Sequence, residues 1–185
     1  MIKIFSAIVV SLIIGFKVMA YEEANYKVVK QNKVYEIRKY SDRLAIEAIT
    51  SSEGSSFRKL FNYISGNNEN KEEISMTTPV TQVEKKGNMT MQFYLPSKFN
   101  KDNTPSPSNS EVKVLNIKGG YYAVIKYSGR ASDKNFIKHK DILKNELKKN
   151  DITILSSPIK ATYDKPFTLP MLRRNEAMFK IDINL

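Results

Sequence analysis

The densest chemistry in the chain lies between Asp164 and Arg174, where Phe167, Leu169, Met171 and Leu172 lead into two guanidiniums, Arg173 and Arg174. Pro166 and Pro170 make this segment a loop. Loops lie in water, so four large apolar side chains there either tuck back to plug the core or form a wall of an apolar site. The composition suits a flat apolar ligand with carboxylates at one end, gripped by the guanidiniums. The alternative is a core plug with Arg173 or Arg174 paired to Glu176. His139 is the single histidine, hence the single imidazole open to a metal or to proton transfer. A lone histidine beside a helix stripe is more often a hydrogen-bonded boundary residue than a ligand. The chain has no cysteine, which excludes disulfides, zinc–thiolate sites and iron–sulfur clusters. A Ser-His-Asp arrangement would have to recruit His139 from a lysine-rich helix, and the chain has neither a Gly-rich phosphate loop nor an HExxH string. The chain therefore reads as a binder and not an enzyme; a small-molecule hydrolase using Glu and Tyr as acid and base is the catalytic alternative.

The elements that must position these groups are legible from periodicity. Met89, Met91, Phe93 and Leu95 share one face of a strand with Thr90 and Gln92 opposite; Ala177, Phe179, Ile181, Ile183 and Leu185 do the same against Lys180, Asp182 and Asn184. Each pattern is that of a half-buried antiparallel strand. Phe57, Leu60, Phe61 and Ile64 recur at i, i+3, i+4 and i+7, with Ser55 or Ser56 as the cap and Gly66 placed for the left-handed C′ position. That stripe faces the core, or the core and one wall of a ligand cleft. A second helix is expected over Asp133–Lys149, with Asp133 and Lys148–Lys149 at the ends the helix dipole favours and Phe136, Leu143 and Leu147 on its apolar side.

The order of elements is duplicated. Strands at Val34–Tyr40 and Leu44–Thr50, a helix, and strands at Thr77–Glu84 and Met89–Leu95 make the first half. Strands at Val112–Ile117 and Tyr121–Tyr127, a helix, and strands at Ile159–Tyr163 and Ala177–Leu185 make the second. Asn100–Ser110, with Pro105 and Pro107, reads as a solvated connection inside one domain, because a half of this size buries too little surface alone. The expected fold class is α+β, with about eight antiparallel strands in a distorted barrel-like sheet, two main helices and two pseudo-repeated halves.

The first 20 residues read as a secretory signal peptide. Lys3 supplies the positive end, Ile4–Phe16 the apolar run, and Val18-Met19-Ala20 a small-x-small cleavage site. The run is shorter than a bilayer span, which needs ~20 apolar residues. Residues 21–185 are then one domain, exported to a periplasmic or extracellular compartment and expected to be a monomer. The formal charge is +11, and about +9 once Lys3 and Lys17 are removed. Its lysines are scattered and not interleaved with aromatics in one run, so nucleic acid is not the expected partner. Anionic ligands or an anionic membrane surface fit the charge better.

Four strings carry a resemblance: Tyr35-Glu36-Ile37-Arg38-Lys39-Tyr40, Phe61-Asn62-Tyr63-Ile64-Ser65-Gly66-Asn67, Met76-Thr77-Thr78-Pro79-Val80 and Arg173-Arg174-Asn175-Glu176. In this order and separation the chain resembles the SOUL haem-binding proteins from about Tyr26 to Ile183. The resemblance implies reversible, non-covalent binding of haem or another porphyrin. Phe57, Leu60, Phe61 and Ile64, with Phe167, Leu169, Met171, Leu172, Arg173 and Arg174, are the candidate lining. Some members of that family carry a histidine after the Arg of Tyr-Glu-Ile-Arg, where this chain has Lys39. His139 and Met76 are the remaining conceivable ligands to iron, and a protein-ligated iron is not expected. A non-haem role remains as an alternative, in which the apolar loop and basic surface dock on a partner or an anionic membrane.

Overall fold

The computed structural model describes residues 21–50, 52–85 and 88–183. The expected leader, residues 1–20, lies outside them, as do the last two residues of the final predicted strand. In chain order the elements are β1 (Glu22–Glu23), β2 (Tyr26–Gln31), β3 (Glu36–Tyr40), β4 (Arg43–Thr50), α1 (Glu53–Ile64), β5 (Thr77–Thr78), β6 (Val80–Lys85), β7 (Asn88–Tyr94), β8 (Val112–Ile117), β9 (Gly120–Tyr127), α2 (Asp133–Lys149), β10 (Thr153–Ile154), β11 (Ile159–Thr162) and β12 (Asn175–Asp182). A short 3-10 turn, Pro170–Leu172, lies between β11 and β12.

Ten strands form one curled, wholly antiparallel sheet in the order β2-β3-β9-β12-β11-β6-β7-β4-β8, with β10 on the side of β12. From β3 to β8 this order reads the same from either end when equivalent strands of the two halves are exchanged. The duplication seen in the sequence is therefore a pseudo-two-fold of the sheet, and the first strand of each half is traded: β3 pairs with β9, and β8 with β4. The eight expected strands are present. β2 escapes the alternation rule because a bulge between Val28 and Lys30 breaks its register and leaves most of it in solvent.

Each helix covers its own half of the sheet. Leu60, Tyr63 and Ile64 of α1 pack on Ile46, Ala48, Met91, Phe93 and Val112; Leu143 and Leu147 of α2 pack on Ile37, Ala123, Ile125, Ala177 and Phe179. Burying each such Leu or Ile is worth about 1.5–3 kcal/mol. The alternate residues Tyr40, Tyr122, Val124, Ala161 and Met178 line the opposite, helix-free face.

The cap of α1 is Ser52, not Ser55 or Ser56: its hydroxyl accepts from the Ser55 amide at 3.3 Å, one turn earlier than the apolar stripe suggests. Gly66 does take the left-handed conformation after the helix, at φ 96°. The Asn100–Ser110 connection is tied down where Tyr63 donates to the Pro105 carbonyl at 2.7 Å and Asn68 bridges to Pro107.

Candidate functional site

The loop between β11 and β12 satisfies its own backbone and leaves its apolar side chains in water. The Thr168 and Leu172 amides donate to the Lys165 and Leu169 carbonyls at 3.0 and 2.9 Å, and Gly129 donates to Pro170 at 2.8 Å. Asp164 accepts from the Arg174 amide at 2.6 Å. Arg173 closes the loop on itself, its Nε donating to the Thr168 carbonyl at 2.7 Å and its Nη2 to the Pro166 carbonyl. With the polar groups paired inward, Phe167 is 81% exposed, Leu169 59%, Met171 75% and Leu172 69%. This overturns the core-plug alternative, because a plug would bury these four side chains.

Beside the loop lies an open depression of about 500 Å³, lined by Arg130, Ala131 and Ser132 ahead of α2 and by Pro166–Pro170 with Arg173. Arg130 was missed in the sequence because it sits in a short turn with no pattern around it; Gly129, at φ 98°, lets β9 swing into α2 and delivers it here.

Arg174 is turned elsewhere. Its guanidinium makes a two-pronged pair with Glu23 at 2.9 Å, reaches Glu176 at 2.8 Å, and lies over the Tyr163 ring at 3.7 Å. Pairing to Glu176 is thus realised by Arg174, without any plug. Burial opposes its charge, but Glu23 and Glu176 outweigh burial and hold its pKa above the ordinary arginine value. Glu176 is fully buried and also accepts from Tyr163 at 2.7 Å and from both terminal nitrogens of Arg38 at 3.0 Å. Burial, followed by the Glu176 charge, pushes the Tyr163 phenol far up.

The stripe of α1 splits. Leu60 and Ile64 are core, whereas Phe57 and Phe61 are 41% and 48% exposed, stacked with centroids 6.0 Å apart. The depression beside the β11–β12 loop takes no lining residue from α1. His139 stacks on Tyr127 at 4.0 Å, and its Nδ1 lies 2.8 Å from the Asn135 carbonyl, so Nδ1 carries the proton. It does not line the depression beside the loop. Lys39 is exposed, and Met76 packs against the α1 core.

The family model for SOUL haem-binding proteins matches residues 21–180. The chain belongs to that family. No curated protein matches this SOUL domain. Among solved structures it is similar to the EcmrR C-terminal domain, with a TM-score of 0.61, 13% identity and coverage of 85% of this chain and 98% of that one. It is also similar to an uncharacterized conserved protein from Listeria innocua, at 0.62, 9%, 82% and 94%, and to a hydrolase from Listeria innocua, at 0.62, 8%, 83% and 94%. At these identities the likeness is one of fold.

The groups around the depression fit the periphery of a haem. Phe167 and Leu169 suit a porphyrin face, and Arg130 with the Nη1 edge of Arg173 suits its propionates, whereas Met171 and Leu172 are exposed outside the depression. Bound there, haem would supply its iron and its π-surface; the lining offers neither imidazole nor thiolate.

Proposed function

We propose that this SOUL domain binds haem or a related amphipathic tetrapyrrole reversibly and without covalent attachment, against the loop between β11 and β12. The observation that carries this reading is the loop itself: a self-satisfied backbone that keeps Phe167, Leu169, Met171 and Leu172 in solvent. Arg130 and Arg173 supply the charges, with Arg174 serving the interior. Phe57 and Phe61 form a separate exposed aromatic patch and are a second contact only for a ligand that reaches beyond the loop. Covering one porphyrin face removes roughly 400 Å² of apolar area counting both surfaces, about 10 kcal/mol gross at ~25 cal/mol per Å². Association costs several kcal/mol at least. Micromolar binding follows without an iron ligand, and metal-free porphyrin is accepted as well. Binding without chemistry on the ligand agrees with the family, and the hydrolase among the similar structures shares the fold at 8% identity.

Haemin and protoporphyrin titrated into the mature chain, followed by the Soret band and tyrosine quenching, test the reading. No saturable change with either would end it.

We also propose export, with cleavage after Ala20, on the strength of Lys3, the Ile4–Phe16 run and Val18-Met19-Ala20. The new terminus, Tyr21, leads directly into β1. An intact mass that retains Met1–Ala20 in a native-like host would refute cleavage. A second reading of the loop is supported by Phe167 at its tip beside Lys165, with Nζ 5.8 Å from the ring: shallow insertion into an anionic membrane surface. Sedimentation with acidic vesicles at low and high salt separates it from porphyrin binding.

A further inference from the structure

A cleft of about 290 Å³ opens where the β1–β5 pair meets the β3–β4 turn and the segment after β7, with Leu44, Leu95 and Phe99 at the edge of the α1 core on one wall. Arg43 stands in its wall. Its guanidinium is sandwiched between Tyr40 at 4.6 Å and Tyr94 at 4.0 Å, which fixes its plane and leaves only its edge for hydrogen bonding. The Nε of Arg43 is buried and meets no acceptor among the described residues. That nitrogen lies inside the wall, so a ligand in the cleft meets the terminal nitrogens of Arg43, which form no ion pair among the described residues. An acceptor brought to them gains a charge-assisted hydrogen bond.

The carboxylates around the cleft are already engaged. Asp42 holds Lys118 Nζ at 2.9 Å, Asn116 at 3.0 Å and the Gly119 amide at 2.9 Å. Glu23 is taken by Arg174. Glu22 accepts from the Ser97 amide at 2.7 Å and has no cation beside it among the described residues. Tyr94, Leu95 and Phe99 give the cleft an apolar, partly aromatic side.

We propose that this cleft is a second ligand site, separate from the β11–β12 loop, which takes a small aromatic carboxylate with its carboxylate on the edge of Arg43 and its ring against Tyr94 and Phe99. A guanidinium edge matches two carboxylate oxygens in one plane, which an amide or an amidine cannot reproduce. The volume lies at the lower limit for ligand pockets, as one ring requires and a tetrapyrrole does not allow. Glu22 is the repulsive element and holds the affinity down.

The test is an amide-shift titration by NMR of the folded chain from Tyr21 with benzoate, benzamide and benzamidine. Benzoate should give saturable shifts around Arg43, Tyr94 and Ser97, and the other two should not. Arg43→Met should weaken benzoate by about tenfold or more, and Glu22→Gln should tighten it by about twofold. Ser97→Trp, at the exposed rim, should block the cleft and decides the matter if Arg43→Met fails to fold. Haemin titrations should be unchanged in Ser97→Trp, and benzoate binding unchanged in a Phe167→Ser chain. Absence of saturable shifts with benzoate, equal binding of benzamidine, or weaker benzoate binding in Glu22→Gln would overturn the proposal.

Discussion

Arg38 and Glu176 meet fork to fork, with both nitrogen–oxygen distances at 3.0 Å and both residues 0% exposed. They come from β3 of the first half and β12 of the second, 138 positions apart, and they lie together because the halves trade their first strands. Burial opposes the charge of Arg38, but the hydrogen bonds and charge of Glu176 outweigh it and raise its pKa above the ordinary value. Two of the strings that mark the family, Tyr35–Tyr40 and Arg173–Glu176, are thus the two sides of one buried contact.

Removing one member leaves the other charged and desolvated. Glu176→Gln should cost about 3–5 kcal/mol of stability. Replacing Arg38 and Glu176 together by Met should cost clearly less than the sum of the single changes. Urea unfolding of the three variants measures this, and additivity within ~0.5 kcal/mol would show that the residues do not act as a pair.

Phe167 and Met171 bear on ligand and not on fold. The Phe167→Ser, Met171→Ser double variant should stay within about 0.5 kcal/mol of wild-type stability while losing porphyrin affinity by about tenfold or more. Charge reversal at Arg130 should weaken haemin, a dicarboxylate, with no change in the melting temperature. A Soret titration beside a thermal melt separates the two effects, and unaltered haemin affinity in the Ser variant would place the tetrapyrrole elsewhere.

His139→Ala should change haemin affinity by less than about twofold, since no axial bond is lost. Its stability cost is the stack on Tyr127, about 0.5–1.5 kcal/mol. Loss of haemin binding with protoporphyrin binding intact would identify His139 as an iron ligand after all.

Alkaline pH should unfold the domain through its tyrosines. Burial pushes Tyr40 and Tyr63 up to about 12, and Tyr127 and Tyr163 further. Unfolded tyrosine ionises near 10, so above that pH the unfolded chain releases protons the folded chain retains. Stability is complete below about pH 10 and falls as pH rises beyond it. Phenolate absorbance should show these four groups titrating only with the loss of near-ultraviolet dichroism; their ionisation near pH 10 in a folded chain would contradict the burial.

What the sequence determined by itself is what local periodicity encodes. The alternation at Ala177, Phe179 and Ile181 is the buried face of β12, and α2 begins and ends at Asp133 and Lys149 as its stripe and terminal charges require. The repeated order of strands and helices was legible for the same reason, since each element is written in its own residues. Only the tertiary structure decided which strands are neighbours. Pairing β3 with β9 depends on register between distant segments, and no local period carries that information. It also decided the fate of the charged and apolar residues outside regular elements. Glu176 reads as a partner for Arg173 or Arg174 and is fully buried, because Arg38 and Tyr163 arrive from other strands to join Arg174 on it. Phe167, Leu169, Met171 and Leu172 read equally as plug or wall, and stand in solvent because Arg173 ties off their backbone before the core is reached. Phe57 and Leu60 share one helical stripe, but only the fold decides that Leu60 is buried while Phe57 stays half in solvent against Phe93.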